Sequence, residues 1–247
     1  MTMARPSMSE TPVRVGVIDS GWDASVPDRR VEPGVGFVAT HAAGGISMVR
    51  DAQDRHGHGT ACADLILQVA PEARIVPIRI FSERLEASPA ALIAAIDWAV
   101  ARHLGLINLS LTTIRRDALA PLYRSCELAR RAGTIVVAAA GPINARSLPS
   151  IFEPVIGVTA GRFDNRLEVQ YRDRHEVECV ANGVQRARSL AGRVRTWSGS
   201  SFAAPVVTGH IANFLQSHLG ATIEVVRQML VSRFGYAGAS PLSPVAQ

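Results

Sequence analysis

The sequence predicts an α/β fold, with a mostly parallel central sheet and helices on both faces. Two observations carry this. Short apolar runs alternate with segments of helical period along most of the chain, the pattern of successive strand–helix–strand units. Polar residues able to do chemistry, Asp19 and Ser110, stand where strands end, and sheets of this kind bind ligands beyond the carboxyl ends of their strands.

The elements follow in order. Residues 1–12 are polar and read as a short disordered arm. Val13–Ile18 is a buried strand and Val35–Ala39 a second. Gly44 to Gln53 reads as loop. Between Thr60 and Val69, Ala61, Leu65, Ile66 and Val69 recur at helical spacing. Arg74–Ile80 is a strand. Ser88 followed by Pro89 opens a helix that runs to about His103. Leu106–Ser110 is a strand, and Asp117 opens a helix that Gly133 ends as its C′ residue. Thr134–Ala139 and Val155–Val158 are strands. Short strand-like runs, Leu167–Tyr171 and Glu176–Val180, then alternate with turns up to residue 197. A central helix spans Ser201–Leu219, with Pro205 in or at the edge of its first turn, where few N–H groups have helical partners. A last helix spans Ile223–Arg233. The domain is expected over 13–234, with a loose Gly/Ser/Pro-rich tail over 235–247.

Composition narrows the class. At 247 residues and 47% hydrophobic content, one α/β domain with a substantial core is expected. No apolar run approaches the ~20 residues of a membrane span. The polar start has no apolar h-region of a signal peptide. Three cysteines, Cys62, Cys126 and Cys179, do not make a disulfide framework. A cytoplasmic setting is the resulting expectation. The net charge is +5, and every basic residue is arginine. The arginines are scattered without a nucleic-acid motif, so neither nucleic acid nor membrane is an expected partner. Arg186, Arg188, Arg193 and Arg195 form the one local cluster, read as a solvated hairpin.

Three stretches carry chemistry. Gly199-Ser200-Ser201-Phe202-Ala203-Ala204-Pro205 places Ser201 at a helix N-terminus, where unpaired N–H groups and the helix dipole favour negative charge. A serine there attacks a carbonyl while its own N–H holds the resulting oxyanion. Taken alone, the serine reads as an N-cap after a glycine turn. Val13 to Gly21 is a strand that ends in Asp19-Ser20-Gly21, and Asp54 to Thr60 leads through His58-Gly59-Thr60 into a helix. Asp19 alone is a strand-end turn acid, and His58 alone a helix-start histidine. Asp, His and Ser in this chain order form a recognised triad arrangement.

At these three boxes the chain resembles the subtilisin-like serine peptidases, over about Val13 to Leu219. The resemblance implies the subtilisin-like three-layer fold and peptide-bond hydrolysis through an acyl-enzyme. It implies Ser201 as nucleophile, His58 as base and Asp19 as its orienting acid. His56 fits the histidine box less well and is expected at the rim. Cys62 is expected beneath His58 as a packed thiol, and Trp197 either walls the site or packs in the core.

The resemblance also implies substrate binding at Ser110, Leu111, Thr112 and Thr113, where the family pairs a Ser-Leu-Gly-Gly segment with the substrate main chain. Thr112 and Thr113 replace its glycines. Ala138, Ala139, Ala140 and Gly141 would form the other wall of a small first pocket, one that accepts Gly, Ala or Ser before the cut. Where the family carries an oxyanion-donating Asn, this chain has Pro142, which has no donor. Asn144, another donor or water beside the Ser201 N–H, or loss of catalysis are the competing explanations. Asn144 is the candidate taken. About a dozen residues precede the first strand, so no propeptide is apparent, and narrow specificity with one dedicated peptide or protein partner is expected. In size the chain resembles the subtilisin-like peptidase that matures the small subunit of quinohemoprotein amine dehydrogenase, with no motif to support that closer match. No loop has calcium-ligand spacing, so no metal or other cofactor is expected. A silent peptide-binding homologue and acyl transfer to an amine, as in ligation or macrocyclisation, remain alternative readings.

Overall fold

A computed structural model describes residues 11–40, 45–82, 85–141, 147–173 and 175–235. The expected loose tail over 236–247 and the first ten residues of the arm lie outside the described residues, as do Pro142, Ile143 and Asn144.

Eleven strands and five helices are described. They are β1 (Arg14–Asp19), β2 (Val35–Ala39), β3 (Ile46–Val49), α1 (His58–Val69), β4 (Arg74–Arg79), α2 (Pro89–Ala101), β5 (Leu106–Leu109), α3 (Leu119–Arg131), β6 (Ile135–Ala139), β7 (Ile156–Gly161), β8 (Val169–Tyr171), β9 (Cys179–Asn182), β10 (Val184–Arg188), β11 (Val194–Ser198), α4 (Ser200–Ser217) and α5 (Ile223–Phe234). The main sheet has nine strands in the order β3-β2-β4-β1-β5-β6-β7-β9-β8. Its interior pairs are parallel, and antiparallel strands close both edges, β3 on β2 and β8 on β9. Helices α1, α4 and α5 bury their apolar sides on one face, α2 and α3 on the other.

This order positions the site. From β1 the chain steps through α1 to β4 on one side, then through α2 to β5 on the other. The winding therefore reverses at β1, and a crevice opens at the carboxyl ends of β1 and β5. Asp19 is the last residue of β1, and Ser110 follows β5 directly.

Four local expectations are corrected. The segment from Gly44 to Gln53 contains β3, a strand whose Met48 is 53% exposed. It covers the free edge of β2 and buries little, so it carries no strong apolar signal. Asp117 lies in a single 3-10 turn, Arg116–Ala118, and α3 begins at Leu119. The strand at Val155–Val158 extends to Gly161. Pro205 lies inside α4, four residues after Ser201, and not in its first turn.

The arginine cluster separates into two roles. Arg186, Arg193 and Arg195 are exposed on the β10–β11 hairpin. Arg188 turns inward: its Nε donates to Asp64 Oδ1 at 2.6 Å, its Nη2 to Asp28 Oδ2 at 3.1 Å, and its backbone N–H to Asp64 Oδ2 at 2.8 Å. Arg30, then Arg188, hold the Asp28 carboxyl well below the usual range. This network ties the hairpin that leads into Ser201 to α1, which carries His58. Removing one partner leaves buried charge uncompensated. Arg188→Ala is accordingly expected to lower stability by about 3 kcal/mol, read as a lower urea midpoint at unchanged slope. A loss under about 0.5 kcal/mol, the size typical of neutral surface changes, would show the network to be dispensable.

Candidate active site

Two loops interlock to bring Asp19 and His58 together. Gly21, φ +106°, turns the chain sharply after β1. Gly59 packs its Cα against the Gly21 backbone so closely that a Cβ there would overlap the Gly21 carbonyl oxygen. The Gly59 N–H donates to Ser20 Oγ at 2.8 Å, and the Asp23 N–H to Thr60 Oγ1 at 3.0 Å. Gly59 is thus required by the approach of the Asp19-Ser20-Gly21 box, and Gly21 by its own positive φ and by the Ala52 carbonyl oxygen, which a Cβ there would overlap.

Asp54 completes the helix start. Its carboxylate accepts from the N–H groups of His56, Gly57 and Thr60 at 2.8–2.9 Å and from the Thr60 hydroxyl at 2.7 Å. The N–H groups of Gly57 and Thr60 are among those that a helix start leaves unpaired. The sequence reading passed over Asp54. Its signal was an acid close before a glycine-started helix.

Asp19 is fully buried. Its Oδ1 accepts from the Ser20 N–H at 2.7 Å and from His58 Nδ1 at 2.8 Å. A carboxylate only accepts, so His58 carries its proton on Nδ1 and leaves Nε2 as the basic nitrogen. Burial pushes the His58 pKa down, but the Asp19 charge outweighs it and holds the imidazole well above its ordinary value. Burial likewise raises the Cys62 thiol, which stays neutral near pH 7 and adds no charge.

The sign of this shift makes a paired prediction. Only neutral His58 accepts a proton, so kcat/KM should rise with pH through a value above 6.5. The raised pKa stabilises the fold below 6.5, and this contribution fades as pH rises through the folded-state value. Activity should therefore climb in the window where this stabilisation is lost. A pH–rate profile beside a pH series of melting temperatures checks both. An activity limb centred below 6.5 would contradict the assignment.

Ser201 is the second described residue of α4 and is half-buried. Gly199, φ +121°, sets the entry to the helix. The first backbone bonds run from Phe202 N and Ala203 N to Gly199 O, which leaves the Ser201 N–H ahead of the helical ladder. Pro205 has no N–H to give the Ser201 carbonyl. The Cys62 thiol donates there instead, at 3.5 Å, while lying 3.8 Å from His58 Nδ1. Cys62 therefore joins the Ser201 backbone to the helix that carries His58, a link the sequence did not disclose.

Around His58 the walls are aromatic. Phe202 lies 4.9 Å from its ring and Trp197 meets it edge-on at 6.2 Å. Trp197 also packs on the core, so it serves both expected roles. His56 turns its Nε2 to the Ser82 carbonyl at 3.1 Å and stays half-buried. Among the described residues one group could bring three ligands to a metal ion: Asp19, His58 and Cys62. The 2.8 Å Asp19–His58 contact is a hydrogen bond, closer than the roughly 3.3–3.6 Å between two tetrahedral ligands of one ion.

His58 and Ser201 line one cleft of about 450 Å³ together with Ser110, Leu111, Thr112 and Thr113. Thr113 pairs its main chain with Leu148 in both directions, at 2.8 and 2.9 Å. Ala139 and Ala140 are buried at the end of β6. Gly141, donating to Ser147 Oγ at 2.7 Å, approaches Thr112: a Cβ on it would lie 3.6 Å from Thr112 Oγ1. Behind Ser110, Asn108 Nδ2 donates to Ser110 Oγ and Thr208 Oγ1 donates to Asn108 Oδ1, each at 2.8 Å. This buried chain joins β5 to α4 beneath the site, and the sequence reading missed Thr208 entirely. The Asn144 expectation falls outside the described residues.

A family model, the subtilase family, matches residues 10–240. The chain belongs to the subtilase family. Among curated relatives, Subtilisin E of Bacillus subtilis (strain 168) is 30% identical over 244 residues, covering 92% of this chain and 62% of the relative. The chain thus spans under two thirds of that relative's length. Subtilisin of Bacillus pumilus is 29% identical over 244 residues, with 92% and 86% covered. The fold of this subtilase is shared with a cold-adapted subtilisin-like serine proteinase, TM-score 0.70, 24% identity, covering 89% of this chain and 81% of the other. It is also shared with the epidermin leader peptide processing serine protease of Staphylococcus aureus, TM-score 0.73, 17% identity, covering 90% and 69%. No described helix is long and apolar enough to cross a membrane.

Proposed function

We propose that this subtilase is a serine endopeptidase of narrow specificity, cleaving a leader or precursor segment from one peptide or protein partner. The observation that carries the chemistry is the 2.8 Å Asp19–His58 hydrogen bond beside Ser201 in one cleft. Ser201 Oγ attacks the scissile carbonyl and His58 Nε2 takes its proton. The tetrahedral oxyanion receives the Ser201 N–H. His58 then gives its proton to the departing amine, and the acyl-enzyme forms. Water, deprotonated by the same nitrogen, hydrolyses the acyl-enzyme and restores Ser201. Asp19 holds the imidazole in register and stabilises it while charged.

Narrow specificity is supported by the side chain of Thr112 and by its nearness to Gly141. A small pocket for the residue before the cut would favour Gly, Ala or Ser there. The processing role draws on the likeness of fold to the epidermin leader peptide processing protease.

The test is labelling by a fluorophosphonate, read by intact mass, on wild type and Ser201→Ala. One adduct on wild type and none on the variant is expected. An unlabelled wild type would overturn the peptidase reading and favour a peptide-binding module. A set of peptides varied only before the cut adds the specificity result: cleavage after Ala should exceed cleavage after Phe at least tenfold, and equal cleavage would remove the small-pocket assignment.

A further inference from the structure

We infer that Glu86 makes this enzyme select substrates with an arginine or lysine two to four residues before the scissile bond. The inference rests on the peptidase reading above and names the substrate class for that site.

The cleft holding His58 and Ser201 extends away from them along the segment that precedes α2. Its lining there includes the apolar Phe81, Leu85, Leu92 and Leu111, and among the described residues the exposed Glu86 is the one carboxylate that lines it. Among the described residues it is also, apart from His58, the one ionisable side chain there. No ion pair to Glu86 is found among the described residues. Arg79 and Arg55 are engaged with the Asp51 carboxylate, at 3.1 and 3.4 Å. The backbone holding Glu86 is fixed on both sides. Its carbonyl accepts from Ser82 N at 2.9 Å, and two residues later Ser88 caps α2 by accepting from Ala91 N at 3.1 Å.

A cleft wall of Phe81, Leu85, Leu92 and Leu111 with the Glu86 carboxylate at it suits a long side chain that is apolar along its stem and cationic at its tip. Arginine and lysine have that form, and a guanidinium adds a paired, charge-assisted hydrogen bond. A peptide laid along Ser110–Thr112 as an added strand sends alternate side chains to the same side. Some of the residues just before the cut therefore face the Leu85–Leu92 wall. The whole-chain charge of +5 would favour acidic peptides. Glu86 reverses that sign locally, so the two effects make opposite predictions.

The experiment uses quenched-fluorescence peptides with alanine fixed before the cut. Arg, norleucine or Glu is placed in turn at the second, third and fourth residues before it. Wild type, Glu86→Gln and Glu86→Arg are compared by ratios of kcat/KM, which are internal to each variant. Wild type should favour Arg over norleucine about tenfold at one of these positions, a size between an exposed and a partly desolvated ion pair. The ratio should shrink in high salt. Glu86→Gln should bring it near one, and Glu86→Arg should turn the preference toward Glu. No preference for Arg at any position, or a preference kept in Glu86→Gln, would overturn the inference while fluorophosphonate labelling leaves the peptidase reading standing. Neither labelling nor cleavage would overturn both.

Discussion

Alanine at Ser201 or at His58 is expected to lower kcat by on the order of 10⁶, and alanine at both to lower it no further. The factor is of the size found for this pair of groups in a subtilisin. The reason for non-additivity is chemical. A serine hydroxyl is a poor nucleophile until a base takes its proton, and the base has nothing to activate once the hydroxyl is gone. Each single change therefore removes the whole unit. What remains comes from peptide binding along Ser110–Thr112 and from the Ser201 N–H, a backbone group that survives the alanine change. Kinetics of the two single variants and the double variant on one cleaved peptide provide the check. Losses that multiply would mean that Ser201 and His58 act in separate steps, contrary to their placement in one cleft.

The sequence announced what depends on local pattern. The strand of Val13–Ile18 and the helix after His58 follow from apolar runs and period, and the structure has both. The Asp-Ser-Gly and His-Gly-Thr boxes were legible as motifs. Their reason was not, because the contact of Gly59 with Gly21 spans 38 residues of chain and appears only when β1 and α1 lie side by side. Edge strand β3 escaped for the opposite reason: it buries too little to leave a pattern. Pro205 was misplaced because a proline inside a helix looks costly until its partner is seen. The carbonyl that loses an N–H, that of Ser201, gains the Cys62 thiol from a different helix. Asp54 and Thr208 act through hydrogen bonds to backbone or to a distant side chain, and no spacing rule points to such partners. Glu86 was invisible as a selector because its meaning lies in the apolar wall around it.

Asp19→Asn is the change that separates orientation from chemistry, and kcat should fall by about 10⁴ with the fold intact. An amide of the same shape can present its NH₂ to His58 Nδ1. The imidazole then accepts there and carries its proton on Nε2, the nitrogen that must be free to take the proton of Ser201. The same change acts on the pKa in a readable direction. Burial alone drives His58 down, and the Asp19 charge is what reverses it. Without that charge burial wins, so the activity limb of the variant should move to lower pH even as its height falls. These two effects have different origins, one in the tautomer and one in the charge. A merely structural role for Asp19 would lower activity at every pH and leave the limb in place. Loss of rate together with an acid-shifted limb would tie Asp19 to His58 as its orienting and charge-balancing partner. Retention of near-normal kcat would remove Asp19 from the triad, whatever its distance from the ring.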